Sequence, residues 1–266
     1  MIVDAPGVTR LGLDRLASID LATVLARAQL LQRVDRKYVV PLDVARDVIA
    51  ALAESHQVLT VGGRDATSYR TTYYDTADLR CVRDHVKRRR RRFKARTRLY
   101  VEDDLCRLEV KTKDRRGETA KAQLQVPLHE YGRPTEQQHQ FIEDTLRAAG
   151  LAMPGPLMPS VEVNCRRGTL VDVDAGVRVT FDSNLFVTHQ LGSVGLDPGH
   201  VIVETKGSTR PGQADRLLQR AGHRPQPFSK YAAAGSLLHP EIPSNDVRHM
   251  VGRQLRLEAH IEGVAS

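Results

Sequence analysis

Apolar residues recur along the chain with two different periods, and the switches between them mark the expected elements. Leu16, Ile19, Val24, Leu25, Ala28 and Leu31 fall at roughly helical spacing and predict an amphipathic helix over Leu11–Arg33. Arg36–Val40 reads as a short strand ended by Pro41, and Asp43 is placed to cap a helix through Val48, Ile49 and Leu52 to about Ser55. Gly62-Gly63 marks a turn, Thr67–Tyr74 a strand, and Asp75-Thr76 the start of a short helical or turn segment through Leu79 and Val82. Phe93–Val101 and Leu105–Lys113 flank Glu102-Asp103-Asp104, a good hairpin turn, and Thr119–Pro127 follows as a third strand. Phe141, Ile142, Leu146 and Ala149 share one face of a helix over Glu136–Ala149, and the Pro-rich Gly150–Pro159 reads as a loop. Val161–Arg167, Leu170–Val173, Val177–Phe181 and Val201–Lys206 complete about eight strands, with Gly192–Pro198 read as a surface loop. Helices are expected over Gln213–Ala221, Ser229–Leu238 and, beyond the break at Pro240–Asn245, over Asp246–Glu262. Strand and helix do not alternate, which excludes a doubly wound parallel sheet and favours an α+β fold: antiparallel sheet with peripheral helices. The expected partition is an N-terminal helical segment over 1–29, a strand-rich domain over 30–238 and a C-terminal helical tail over 239–266.

Alternation within the strands brings out the charge. Side chains two apart share a strand face. In Phe93–Val101 one face carries Lys94, Arg96, Arg98 and Tyr100; in Leu105–Lys113 one face carries Arg107, Glu109, Lys111 and Lys113. Lys121 stands opposite Ala120, Ala122, Leu124 and Val126, and Glu204 and Lys206 stand opposite Val201, Val203 and Thr205. A wet face of an antiparallel sheet is often charged. Here the charge is mostly of one sign, and adjacent like charges repel. Curled into a barrel with this face inside, such strands would form a cationic lumen whose cost a polyanion offsets. Glu109 and Glu204, each in a Glu-x-Lys pattern, either pair with the neighbouring lysines or help hold Mg²⁺ or Mn²⁺.

Composition narrows the partner. Lys+Arg 40 against Asp+Glu 32 gives a net charge of +8, which points to an anion. Aromatics are only 5% and Trp is absent, which argues against a single-strand nucleic-acid reader that stacks bases. No P-loop, dinucleotide fingerprint or helix-turn-helix pattern is found, so nucleic acid is disfavoured as a partner. Cys81, Cys106 and Cys165 lack metal-ligand spacing and read as buried small hydrophobes in a reduced, cytoplasmic compartment. No apolar run reaches the roughly 18 residues of a membrane span, and Met1–Arg10 lacks a signal-peptide layout. Of ten histidines, only His85 lies near the basic run Lys87–Arg92; a surface position is its simpler reading. The run itself reads either as a patch where polyphosphate enters or as a solvated loop.

The ordered set Val34-Asp35-Arg36-Lys37-Tyr38, Tyr73-Tyr74-Asp75-Thr76, Lys94-Ala95-Arg96-Thr97-Arg98, Leu108-Glu109-Val110-Lys111, Arg178-Val179-Thr180-Phe181-Asp182, Val203-Glu204-Thr205-Lys206 and Phe228-Ser229-Lys230-Tyr231 resembles the VTC domain, the polyphosphate polymerase branch of the triphosphate tunnel metalloenzymes, a CYTH-like superfamily. The resemblance implies an antiparallel eight-stranded β-barrel tunnel with peripheral helices. It also implies transfer of the γ-phosphoryl group of ATP, or another triphosphate, onto polyphosphate with Mn²⁺ or Mg²⁺. By motif, Lys37, Arg96, Arg98, Lys111, Arg167, Arg178 and Lys230 would bind phosphate, with Lys121 and Lys206 adding charge. Glu204, with Glu109, would hold the metal, and Ser229 and Tyr231 would position the phosphate chain. Two departures stand out: Cys165-Arg166-Arg167 where the family has Tyr-x-Arg, and Asp35 where many members have Glu. Strand parity prefers Arg167 to Arg166. A tripolyphosphatase on the same scaffold and a non-catalytic polyphosphate-binding module are the competing readings, and the family leaves a separate membrane-protein partner open.

Overall fold

The structure, a computed structural model, describes residues 11–27, 34–114 and 119–259. In chain order the elements are β1 (Ser18–Asp20), α1 (Leu21–Arg27), β2 (Val34–Pro41), α2 (Leu42–Leu52), β3 (Gln57–Thr60), β4 (Ala66–Asp75), α3 (Arg80–Val86), β5 (Arg92–Tyr100), β6 (Leu105–Lys113), β7 (Thr119–Val126), α4 (Glu136–Ala148), β8 (Met158–Asp172), β9 (Val177–His189), β10 (Gly192–Leu196), β11 (His200–Gly207), α5 (Gln213–Arg220), α6 (Lys230–Leu238), α7 (Asn245–Arg248) and β12 (Leu255–Ala259). The fold is α+β: the pairs β2–β11, β9–β11, β9–β10, β3–β8, β4–β5, β5–β6 and β6–β7 are antiparallel, and β1 runs parallel to β3. Eight of the twelve strands among the described residues lie at expected positions; β1, β3, β10 and β12 are additional.

Five local expectations are corrected. The helix expected over Leu11–Arg33 is interrupted by β1, because Ile19 pairs with Leu59 instead of continuing a helical turn. Asp20 then starts α1 by accepting from the Thr23 N–H at 2.8 Å; the rest of that helix, 28–33, lies outside the described residues. Val161–Arg167 and Leu170–Val173 are one strand, β8, running through Gly168. The expected surface loop at Gly192–Pro198 contains β10, paired with β9 from Gly192 opposite His189, with Val194 and Leu196 buried. Its two glycines hide the alternation. The expected C-terminal helix is a single turn, α7, followed by β12, whose Leu255 is buried. Asp43 lies in the first turn of α2 instead of capping it, and Pro41 takes the cap position.

The chain forms two compact units. The first takes the described residues of Met1–Ser68, Cys165–Leu185 and Leu196–Phe228; the second takes those of Tyr69–Asn164, Phe186–Gly195 and Ser229–Ser266. In the first unit β11 lies between β2 and β9. One face of these strands, with Tyr38, Val40, Val179, Phe181, Val201 and Val203, packs on Ala45, Val48, Ile49 and Leu52 of α2 and on Ala214 and Leu218 of α5. Burying a large aliphatic or aromatic side chain contributes about 1.5–3 kcal/mol, so this face is the stabilising one and leaves the other free for charge.

In the second unit the order is β4-β5-β6-β7. Ala95, Leu108 and Val110 are fully buried on one face, as are Ile142 and Leu146 of α4. Thr135 caps α4 by accepting from the Gln138 N–H, and Ser229 caps α6 by accepting from the Ala232 N–H. Helices α3 and α6 approach closely at Gly235, where an added Cβ would lie 2.6 Å from Val82 Cγ2.

Candidate functional site: two cationic sheet faces

Each unit turns its core-opposed face into a cluster of cations around one to three carboxylates. In the second unit the register fixes the neighbours. Lys94, Lys111 and Lys121 lie side by side across β5, β6 and β7; Tyr73, Arg96, Glu109 and Gln123 form the next row, and Thr71, Arg98, Arg107 and Gln125 the one after. Directly opposed like charges destabilise a sheet, so a row of three lysines is costly in the absence of an anion.

Glu109 is the carboxylate in this face, and it is buried. Arg96 donates through Nε to its Oε2 at 2.7 Å, Lys121 donates to its Oε1 at 2.5 Å, and Arg98 Nη1 lies 3.9 Å away. Burial pushes the Glu109 carboxyl up, but Arg96, Arg98 and Lys121 hold it well below the usual range, so it stays ionised. Burial also lowers Lys121, beyond what Glu109 restores.

Aromatic rings brace the guanidinium groups. Arg96 donates to the Tyr73 hydroxyl at 2.7 Å and lies over that ring, and Arg98 lies 5.1 Å from the Tyr69 ring centroid. Burial raises the Tyr73 phenol, but Arg96 and Arg98 outweigh it and the net shift is downward. Tyr73 stacks on Tyr231, with ring centroids 4.6 Å apart and planes 9° from parallel.

The Tyr231 hydroxyl is buried. It donates to the buried Asp75, which also accepts from the Thr76, Cys81 and Val82 N–H groups at 2.8, 2.7 and 3.0 Å. Ser229 instead accepts from Lys94 Nζ at 2.8 Å. Lys230 follows Ser229 at the start of α6, close enough to help lower Tyr73.

His85 is half-buried, which corrects the surface reading. Its Nδ1 is buried without a hydrogen-bond partner. Burial, then Lys94, Arg92, Lys111 and Lys113, lowers its pKa to about 2, so it is neutral.

The first unit carries the other cluster. Across β2, β11 and β9 the same-face rows are Asp35, Lys206 and Arg178; then Lys37, Glu204 and Thr180; then Val39, Ile202 and Asp182. Lys37 donates to Glu204 Oε1 at 3.0 Å, and Lys206 Nζ lies 3.3 Å from Oε2. Arg167 of β8 grips Asp182 through Nε at 2.5 Å and Nη2 at 2.7 Å. Asp182 is 1% exposed, so this is a buried bidentate pair. Burial raises Glu204, but Lys206, Lys37 and Arg167 bring it well below the usual carboxylate range. Burial lowers Lys206 to about 8, against the pull of Glu204.

All thirteen expected site residues therefore fall on one of the two faces or at the start of α6. Four participants were missed. Tyr73 and Asp75 lie in a quoted motif, but only the β4–β5 register and the α6 contact reveal what they do. Asp182 likewise needs Arg167 to be seen. Lys94 shares the parity of Arg96 and Arg98, so strand alternation alone could have added it.

A divalent metal is the group the resemblance implies. Among the described residues no three His, Cys, Asp or Glu side chains gather to hold one. Glu109 and Glu204 each have both oxygens engaged by cations. These donor sets do not fit a divalent ion by themselves.

These observations define an α+β protein whose strands present cation-lined faces. The VTC domain family matches residues 32–239, and the chain belongs to that family. No curated protein matches the sequence. Among solved structures, similarity extends to a protein from Bacillus halodurans designated an adenylate cyclase: 14% identity, 71% of this chain, 87% of that one, TM-score 0.42. A second is the Hippeastrum protein designated an adenylyl cyclase and described with a dominant triphosphatase activity: 16% identity, 77% and 96% coverage, TM-score 0.46. A third is a protein from Pyrococcus horikoshii: 10% identity, 75% and 97% coverage, TM-score 0.40.

Proposed function

We propose that this chain is a phosphotransferase of the polyphosphate polymerase type, built on an eight-stranded tunnel, which moves the γ-phosphoryl group of ATP onto a polyphosphate chain. The observation that carries this reading is the lysine and arginine rows of β5, β6 and β7, with Glu109 the carboxylate among them. Such rows are stabilised by a ligand with several closely spaced negative charges, and membership of the VTC family supports the same reading.

Phosphoryl transfer asks a protein chiefly for positioning and charge neutralisation. Arg96, Arg98, Arg167 and Arg178 would meet phosphate oxygens in pairs, as planar guanidinium groups do, with Lys37, Lys111, Lys121, Lys206 and Lys230 adding point charges. Ser229 and Lys94 supply one polar pair at the α6 terminus. Tyr231 acts indirectly, by holding Tyr73 beneath Arg96. No side chain is needed as nucleophile: an oxygen of the acceptor's terminal phosphate attacks the γ-phosphorus of ATP, the bond from that phosphorus to the β–γ bridging oxygen breaks, and ADP leaves. Any divalent cation would draw ligands from the triphosphate oxygens, because among the described residues no three His, Cys, Asp or Glu side chains gather to hold one.

The test is ATP- and Mn²⁺-dependent polyphosphate synthesis, followed on gels, for the wild type, Glu204→Gln and Arg98→Ala. The expected outcome is chain growth by the wild type, a loss of roughly a hundredfold in Arg98→Ala, the scale of removing one oriented donor, and a loss in Glu204→Gln because Lys37 and Lys206 lose the carboxylate that holds them. Release of inorganic phosphate without chain growth would replace the polymerase by a tripolyphosphatase. Wild-type-like activity in both variants would overturn the site assignment.

A further inference from the structure

The six consecutive basic residues Lys87–Arg92 join α3 to β5. Three of them shape the connection. Arg88 has a left-handed backbone, φ 52°, and grips Asp246 with Nη2 at 2.9 and 3.1 Å from its two oxygens. Arg91 donates to the Gly150 carbonyl and Arg92 to the Arg89 carbonyl. A non-glycine residue at positive φ is strained, and such conformations persist where surrounding contacts hold them. Here the contacts leave the other three side chains, Lys87, Arg89 and Arg90, exposed and outside the ion pairs among the described residues.

The run is continuous with the cationic face. Arg92 has the same strand parity as Lys94, Arg96 and Arg98, and it stands opposite Lys113 in the row next to Lys94 and Lys111. Burial, and then Lys94, Arg92, Lys111 and Lys113, hold His85 of α3 neutral, so the end of α3 lies near the end of that face. Charge therefore runs from the β5–β6 rows onto the exposed connection without a break. A merely solvated loop normally mixes signs.

We propose that Lys87, Arg89 and Arg90 form an outer track for a linear condensed-phosphate chain, continuing the line of phosphate contacts past the β5–β6 face. This rests on the reading of that face as a phosphate site. It predicts dependence on chain length: a short phosphate occupies the face alone, whereas a long chain also reaches the track.

The experiment measures binding of tripolyphosphate and long-chain linear polyphosphate to the full chain at several salt concentrations. The proteins are the wild type, the triple variant Lys87→Gln/Arg89→Gln/Arg90→Gln, and the charge-preserving pair Arg89→Lys/Arg90→Lys. The expected result is a roughly tenfold loss for the long chain in the triple variant, with a salt slope lower by about one per removed charge. In the triple variant the tripolyphosphate affinity should stay at the wild-type value, and the lysine pair should keep the wild-type long-chain affinity. Equal loss for both ligands, or none for either, would overturn the track while leaving the face intact. Wild-type protein that binds neither ligand would overturn the phosphate reading and the track with it. Tighter binding of a single-stranded oligonucleotide than of the long chain would also overturn the track.

Discussion

Glu109 shows how a single residue sets the state of its face. Its carboxylate lies between Arg96, Arg98 and Lys121 and is only 2% exposed. Breaking a buried ion pair by removing one partner typically costs about 3–5 kcal/mol. Glu109→Gln should therefore lower the melting temperature strongly without ligand, and tripolyphosphate should recover much of the loss. Thermal melts with and without tripolyphosphate check this; a loss that the anion does not recover would count against an anion-binding face.

Lys206 makes a second residue-scale prediction. Its ammonium is lowered to about 8, so the folded protein carries a cost for that charge at lower pH, relieved as pH rises through about 8 toward the ordinary lysine range. Anion affinity has the opposite sign and should fall over that interval as the charge is lost. Lys206→Arg should remove this fall, as titration of tripolyphosphate binding against pH would show. The carboxylates behave conversely. Glu109 and Glu204 have depressed pKa values, so their stabilisation is complete above the ordinary carboxylate range and is lost only as pH falls through the depressed values.

At the scale of elements, the second unit is organised by Asp75 at the end of β4. Asp75 takes the N–H groups of Thr76, Cys81 and Val82 and the Tyr231 hydroxyl, which ties α3 and α6 to one strand end. Tyr231 then stacks on Tyr73, and Tyr73 accepts from Arg96. Asp75→Ala leaves several buried donors unpaired and should cost about 3 kcal/mol or more. Tyr231→Phe keeps the stacked ring and should cost about 1 kcal/mol. Denaturant unfolding of both variants checks the order; a Tyr231→Phe loss as large as that of Asp75→Ala would refute it. The hairpin of β5 and β6 was legible in the sequence because its alternation is regular. Strand β10 was not, because Gly192 and Gly195 carry no side chain to show which face is buried. Strand β1 was hidden because Leu16, Ile19 and Val24 also satisfy a helical spacing, and only pairing with β3 decides between the two.

For the whole molecule, the excess of eight positive charges acts as stored repulsion that an anion relieves. Tripolyphosphate should raise the melting temperature of the intact chain more than an equal concentration of inorganic phosphate. The gain should shrink as salt rises, because counterions screen exposed charge over about 8–10 Å. Differential scanning calorimetry over a salt series measures it, and a gain indifferent to salt would argue for an uncharged mode of binding. Among the described residues no helix is long and apolar enough to cross a membrane.

The sequence by itself determined which side chains share a strand face, because that depends only on the two-residue period of an extended chain. It therefore placed Arg96 with Arg98, Glu109 with Lys111, and Glu204 with Lys206. It also carried the ordered motifs of the VTC family. Tertiary structure decided the rest: which strand lies beside which, and so that Lys94, Lys111 and Lys121 form one row. The same holds for Arg167 and its partner Asp182, and for the Tyr231 hydroxyl, which is spent on Asp75. The physical reason is that parity is local, whereas register and partner choice are set by packing between residues distant in the chain.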